Sequence, residues 1–320
     1  MKNTYIAGTG GYLPEKRVSN QDLTKGLDTT DEWIFSRSGI RGRRIANEKE
    51  TSSYMGARAA ERAIAAANLT PADIDMVIVA TCTPDLAFPS TACLVQKQLG
   101  IPQVAAFDLQ AACSGFIYGL DIATQYLRTG CAKNILLIGT ETMSRILDWK
   151  DRSTCVLFGD GAGAVVLSTR EEPGILWTKL GADGNYQDLL YSPNLCLQPE
   201  VVKSQKYIQM SGREVFRVAV KTLEQVANEA LEQNNLTRGE INWLIPHQAN
   251  VRIIEGVAKR LGLSMDNVVL TLEEHANTSS ASIPLALDQA VRDGRVKRGQ
   301  LLLLEAFGGG FTWGAALIRH

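Results

Sequence analysis

Neither sign of charge is in excess here: 33 lysines and arginines stand against 34 aspartates and glutamates, a formal net of -1. A dedicated nucleic-acid binder carries a basic surplus, so that class is excluded and nucleic acid is not an expected partner. No uninterrupted apolar run approaches the roughly 18 to 20 residues of a membrane span, and Met1 to Gly8 has neither the apolar core nor the cleavage site of a signal peptide. Membrane is therefore not an expected partner and the cytoplasm is the expected compartment. Cysteine is sparse. Cys82, Cys93, Cys113, Cys131, Cys155 and Cys196 contain no C-x-x-C pair, and none follows residue 196. They read as reduced thiols, neither a disulfide frame nor a metal site. Histidine occurs only three times, so each one needs an account.

What is present is ample apolar content, 45% hydrophobic over 320 residues, enough for one large domain or two fused ones. Strand-like and helix-like segments alternate: a first strand at Asn3 to Tyr12 running into a glycine turn at Gly8 to Gly11, a helix opening at Thr30, an alanine-rich helix over Thr51 to Ala67, and buried strands over Asp75 to Thr81 and Asn134 to Thr140. That alternation predicts an α/β fold. The second half repeats the first at an offset near 165 residues. Asn242 to Pro246 mirrors the Asp75 strand, Gln300 to Ala306 mirrors the Asn134 strand, and Asn267 to Ser282 mirrors the strand, turn and helix around Cys113. The expected organisation is two homologous halves, 1–172 and 173–320, stacked as α-β-α-β-α layers with mainly parallel mixed sheets. Their pseudo-twofold places Cys113 opposite Asn277, its expected counterpart, with the strand end at His247 beside them.

Val104 to Phe116 reads as a buried strand that hands over at Cys113 to a helix of small residues. Unpaired helix N–H groups and the positive end of the helix dipole favour thiolate there, which makes Cys113 a nucleophile candidate; the plainer reading is a small core cysteine. His247, in Pro-His-Gln-Ala-Asn at 246–250, projects from a strand end, where α/β folds keep their ligands. His275 reads as a brace for the following loop. The Asn277 amide can donate to an oxygen becoming negative, although Asn-Thr-Ser-Ser is also an ordinary helix cap.

Four motifs, Ala-Ala-Cys-Ser-Gly-Phe at 111–116, Pro-His-Gln-Ala-Asn at 246–250, His-Ala-Asn-Thr-Ser at 275–279 and Glu-Ala-Phe-Gly-Gly-Gly-Phe-Thr-Trp-Gly at 305–314, resemble the β-ketoacyl-acyl carrier protein synthase III family of the thiolase superfamily over essentially the whole chain. Ala276, where relatives usually carry Gly, and Arg213, where many carry Asn, depart from the pattern. The resemblance implies a decarboxylative Claisen condensation that starts type II fatty acid synthesis, in which an acyl-CoA primer, acetyl-CoA being the expected one, meets malonyl-acyl carrier protein. It assigns Cys113 as the acylated nucleophile and His247 and Asn277 as donors to the enolate. The backbone N–H groups of Cys113 and Gly309 form the oxyanion hole, and Phe307 is the gatekeeper. Trp33, Arg37, Arg152 and Asn250 contact coenzyme A, and Phe88 lines the acyl pocket of a partner subunit in a homodimer. Gln248, Arg252 and Arg217 are assigned to the acidic carrier protein; Arg213, Arg217 and Lys221 fall at helical spacing, as a dock or as an ordinary solvated face. No resident cofactor is implied, since CoA thioester and phosphopantetheine enter as substrates.

The rival readings are a ketosynthase of secondary metabolism with other CoA primers, a hydroxymethylglutaryl-CoA synthase, a thiolase and a non-enzymatic carrier-protein scaffold. Glu141 supplies an acid in the region where the second needs one. The third requires a second cysteine in the C-terminal glycine-rich segment, and none is there. The intact Cys113, His247 and Asn277 argue against the fourth.

Overall fold

The computed structural model of the chain describes residues 3–193 and 207–320, so Cys196 lies outside the described residues. In chain order the strands are β1 (Asn3–Tyr12), β2 (Arg17–Ser19), β3 (Gly42–Arg44), β4 (Met76–Ala80), β5 (Ala105–Leu109), β6 (Ile135–Thr142), β7 (Asp160–Arg170), β8 (Ile175–Ala182), β9 (Leu190–Tyr191), β10 (Gln209–Met210), β11 (Trp243–Pro246), β12 (Leu301–Gly308) and β13 (Thr312–Arg319). The helices are α1 (Asn20–Thr24), α2 (Asp31–Ser38), α3 (Ser52–Ala66), α4 (Thr91–Leu99), α5 (Gly115–Arg128), α6 (Gly212–Gln233), α7 (Val251–Leu261), α8 (Leu272–His275) and α9 (Ser282–Arg292).

A strand buried on both faces reads as a continuous apolar run, and β4 is one. Its Met76 and Ile78 face the central core, while Val77 and Val79 face an outer layer. The first sheet is ordered β1-β7-β6-β4-β5 and the second β11-β12-β13-β8. Helices α3 and α4 cover the outer face of the first sheet. Helices α5 and α9 fill the space between the sheets, and α6 and α7 cover the outer face of the second. The result is the α-β-α-β-α stack, with mixed sheets: β4 pairs in parallel with β5 and β6, and β11 with β12, while the remaining pairs run antiparallel.

The glycines Gly8, Gly10 and Gly11 do not form the expected turn. They lie within β1, paired to Val166, Ala164 and Gly163 of β7. Their role is close approach: a Cβ on Gly8 would sit 2.3 Å from Ala63 O and one on Gly10 2.2 Å from Ala59 O. The missing side chains let the alanine face of α3 press directly onto the strand.

The repeat is visible in the pairings. A shift of 167 residues carries Met76, opposite Ile135, to Trp243, opposite Leu302. It also carries Ala112, which starts the tight turn before α5, to Ser279, which starts the tight turn before α9. Both residues hold positive φ, +47° and +50°. Cys113 therefore corresponds to Ser280, and the expected equivalence with Asn277 is corrected. Asn277 lies one strained turn upstream, where its backbone bridges to Phe158.

Candidate active site

Strand β5 ends against the second half of the molecule, and the chain turns through Ala112 to Ser114 before α5 begins. The turn is clamped by the β12–β13 hairpin. Thr312 Oγ1 donates to Ala111 O at 2.8 Å, and Ser114 Oγ donates to Thr312 O at 3.1 Å. Gly308, the last residue of β12, backs directly onto the nucleophile, because a Cβ there would lie 2.7 Å from the Cys113 nitrogen. Gly309, next in the hairpin, lines the same cavity as Cys113.

Cys113 is buried, and burial together with the nearby Glu141 carboxylate pushes its thiol up to about 12; a hydrogen bond from Ser279 and its own backbone N–H act in the opposite direction. The expectation of a resident thiolate is thereby corrected. At the helix N-terminus the donors do not offset the loss of water, and the resting group is a thiol.

His247 follows β11 with its N–H bonded to Glu305 O at 2.8 Å. Its Nδ1 lies 2.6 Å from Ser282 Oγ, which also accepts the Gln248 N–H at 3.4 Å. A Ser282 hydroxyl that donates to Nδ1 leaves the imidazole hydrogen on Nε2. Burial lowers the ring to about 3, so it is neutral and a donor. Asn277 Oδ1 accepts the Ser279 N–H at 2.8 Å, which orients the amide so that Nδ2 is the free donor. Ser279 and Ser282 were not picked out from sequence. The only signal was the run of serines after Asn277, which reads as a cap.

Cys113, His247, Asn277 and Phe307 line one cavity of about 1810 Å³. Phe307 packs against Phe311 with ring centroids 4.5 Å apart. At the exposed end, Trp33 is approached by Arg37 at 4.5 Å and by Arg152 at 5.1 Å from its ring centroid, an aromatic and cationic cluster suited to a base and phosphates. Asn250 caps α7 through Arg252 N at 2.9 Å and donates to Arg37 O at 2.9 Å. One amide hydrogen and one lone pair remain for a ligand.

One expected placement differs in the structure. Gln248 does not reach a partner protein: it is buried, donates to Pro246 O and Val269 O, and accepts from the Thr271 and Leu272 N–H groups. Its amide is an internal strut. Leu147 packs in one apolar cluster with Met143, Phe158 and Ile208; those three line the cavity, and Leu147 does not. Phe88 is outside this cavity and 86% exposed. The basic residues Arg213 and Arg252 line the cavity mouth, and Arg217 and Lys221 continue along exposed α6.

Residues 107–184 match the family described as 3-oxoacyl-[acyl-carrier-protein (ACP)] synthase III, and residues 231–320 match its C-terminal part. The chain is 57% identical over 315 residues, 98% of both chains, to beta-ketoacyl-[acyl-carrier-protein] synthase III of Methylococcus capsulatus. It superposes on the crystal structure of 3-oxoacyl-[acyl-carrier-protein] synthase III from Aquifex aeolicus with a TM-score of 0.95 and 51% identity, covering 99% and 100% of the two chains. The priming beta-ketosynthase of the R1128 polyketide pathway also aligns with a TM-score of 0.95, covering 99% and 96%, at a lower 39% identity.

Proposed function

The chain belongs to the 3-oxoacyl-[acyl-carrier-protein] synthase III family, and from that premise we propose how its own residues join an acyl-CoA primer to malonyl-acyl carrier protein. The carrying observation is that one cavity is lined by a thiol from the front half and an imidazole and a carboxamide from the rear half. The 57% identity to the Methylococcus capsulatus enzyme, against 39% to the polyketide priming enzyme, favours the fatty-acid reading.

The CoA adenine and phosphates rest on Trp33, Arg37 and Arg152, Asn250 steadies the pantetheine arm, and the thioester reaches Cys113. The thiol loses its proton as its sulfur attacks the acyl carbon. The oxyanion is held by the N–H groups of Cys113 and Gly309, each such donor contributing on the order of 3 kcal/mol to the transition state. CoA leaves with the proton. Malonyl-carrier protein then enters, and its thioester oxygen accepts from His247 Nε2 and Asn277 Nδ2. Those donors stabilise the enolate released as CO2 departs, so no base has to remove a proton from carbon. The enolate carbon attacks acyl-Cys113 and the bond from the acyl carbon to sulfur breaks, giving the 3-oxoacyl-carrier protein and a Cys113 thiolate that takes a proton from solvent to restore the thiol. Phe307 screens the site from water. No resident cofactor takes part; CoA and phosphopantetheine arrive as substrates.

Acetyl-CoA is the proposed primer. The carrier protein docks on Arg252 and the Arg213–Arg217 stripe, whose charge complements an acidic partner. Phe88, with its ring uncovered, enters the acyl pocket of a second copy in a homodimer. The two halves, 1–172 and 173–320, are read as a fused duplication, and the cytoplasm is the compartment in which the substrates occur. Incubation with radiolabelled acetyl-CoA followed by malonyl-carrier protein tests the reading. Label should appear on Cys113 and then move to carrier protein with release of CO2; absence of a Cys113 adduct overturns it.

A further inference from the structure

Arg43, in the middle of β3, is among the largest side chains that are wholly buried. Burial brings its guanidinium down to about 10, so it stays charged at neutral pH. The charge is held by neutral oxygens alone: Nη1 donates to Val18 O at 3.1 Å, and Nη2 donates to Asn20 Oδ1 at 2.8 Å and to Val156 O at 3.0 Å. A cation taken out of water with no carboxylate to answer it is unfavourable unless its hydrogen bonds compensate. Here those bonds join segments more than 100 residues apart, and the far segment leads to the reacting centre.

Val156 begins a strap, residues 156–159, that runs into β7 at Asp160. The strap grips the backbone of Asn277 from both sides. Asn277 N–H donates to Leu157 O at 2.9 Å, and Gly159 N–H donates to Asn277 O at 3.0 Å, the ladder of a parallel bridge between Phe158 and Asn277. The Asn277 side chain is fixed in turn by the Ser279 N–H on Oδ1 at 2.8 Å, so the place of Nδ2 follows from where the strap holds the backbone. Gly159 lets the strap lie close, because a Cβ there would stand 2.7 Å from His275 O and 3.3 Å from Arg43 Cβ. Ala276, just before Asn277, holds φ +56°, a conformation that persists only where its surroundings impose it. The nucleophile turn is secured elsewhere, by Thr312.

We propose that Arg43 is a positioning residue for the enolate donor: by clamping Val156 it sets the height of the strap, and thereby the place of the Asn277 amide during decarboxylation. This rests on the condensing reading above and concerns only its second half-reaction. Arg43 does not line the cavity, whereas Val156, Leu157, Phe158 and Asn277 do, so it acts through the strap. The other jaw of the clamp is itself fixed, since Asn20 Nδ2 donates to Asp31 Oδ1 and to Ile40 O, both at 2.7 Å. The planar guanidinium fork spans Val18, Asn20 and Val156 at once. A lysine ammonium keeps the charge but offers no such fork.

The test is a double-mutant cycle read as CO2 release from malonyl-carrier protein, with Cys113 loading from acetyl-CoA measured on the same chains. Arg43→Lys should lower kcat for decarboxylation about tenfold with KM unchanged, because a shift of part of an ångström at a reacting group is enough. Loading should stay within threefold, which also shows that the variant is folded. In an Asn277→Ala background, itself slower by about 100-fold, the same Arg43→Lys change should cost less than twofold, since the donor it positions is already gone. Gly159→Ala reaches the strap from its other side, by pressing on His275 O, and should give the same pattern should the Arg43 variants not fold. A loss by the same factor in both backgrounds, or equal damage to loading and decarboxylation, would overturn the proposal in favour of a general brace, as would native rates in Arg43→Lys and Gly159→Ala together. An Asn277→Ala chain that decarboxylates at the native rate sinks the donor reading instead, so the two failures are distinct.

Discussion

Gly308→Ala tests whether the position of the nucleophile turn sets the loading rate. The new methyl would stand 2.7 Å from the Cys113 nitrogen and 3.2 Å from both Cys113 Cβ and the Ser114 nitrogen. Ordinary contact begins near 3.4 Å, so the turn has to retreat by about 0.7 Å, the difference between 3.4 and 2.7. None of these atoms belongs to a flexible side chain that can swing away. On its other side the turn is tied by Thr312 to Ala111 and by Ser114 to Thr312, so the strain falls on Cys113. Misplacement of a reacting group by 1 Å costs on the order of 100-fold, so loading should slow by about 10- to 50-fold. Overpacking should lower stability by about 1–3 kcal/mol, several degrees of Tm. Rapid-quench loading and thermal unfolding measure the two effects, with Gly239→Ala, where a methyl meets nothing within 4 Å, as control. A Gly308→Ala chain that loads at the native rate refutes the argument, whatever its Tm.

Glu305 is buried with neither carboxyl oxygen hydrogen-bonded among the described residues, and burial pushes it up to about 8. The native form keeps its proton while the unfolded carboxyl ionises near 4.5, so stability is full below that pH and declines as pH rises toward 8, by about 3 kcal/mol at pH 7. Glu305→Gln should remove this slope in urea titrations at pH 5 to 8; parallel curves would sink the claim. The histidines act in the opposite sense, since burial lowers His247 to about 3 and His275 and His320 to about 4. Their contribution is present above pH 6.5 and is lost on acidification, about 2 kcal/mol each at pH 5. In the Glu305→Gln background the chain should therefore be several kcal/mol weaker at pH 5 than at pH 7, and equal values would contradict it. Arg252→Glu should raise the KM for malonyl-carrier protein about tenfold, with loss of its salt dependence, while acetyl loading changes less than threefold. Equal damage to both half-reactions refutes that division, and points to the Arg252 bond to Ser36 O at 2.9 Å, which holds the helix bearing Trp33 and Arg37.

The layered fold was legible because buried strands and amphipathic helices leave distinct periodicities, and because similar segments recur along the chain. Met76 to Ala80 and Trp243 to Pro246 are short apolar runs at equivalent places, and their pairing partners follow the same shift. Cys113, His247 and Asn277 were legible as residue types at strand ends and helix starts. What escaped were features set by contacts distant in sequence. Gly8 to Gly11 resemble a turn until the backbone of α3 is seen lying on them. Gln248 looks like a surface amide until strands and loops from 246, 269 and 271 close on it. The charge state of Cys113 followed helix position in the sequence, whereas burial beside Glu141 decides it. Ala276 adopts φ +56° with ψ −162°, a conformation that glycine tolerates without a Cβ penalty. The glycine expected from relatives thus has a backbone reason that local sequence does not display.

The structural repeat also accounts for two dissimilar corners in one cavity. At a shift of 167 residues, Glu141 of β6 corresponds to Gly308 of β12 and Cys113 to Ser280. In one corner a glutamate reaches across to Ser280 at 2.8 Å and fills the space with hydrogen bonds. In the other the glutamate's place is a bare glycine, and the residue it backs onto is the thiol. The same exchange occurs one turn later. Gly115, where a Cβ would meet Ala80 at 3.0 Å, corresponds to Ser282, whose hydroxyl meets His247 at the position equivalent to Ala80. Two copies of a scaffold thus place equivalent side chains against each other, and each copy is emptied where the other carries function.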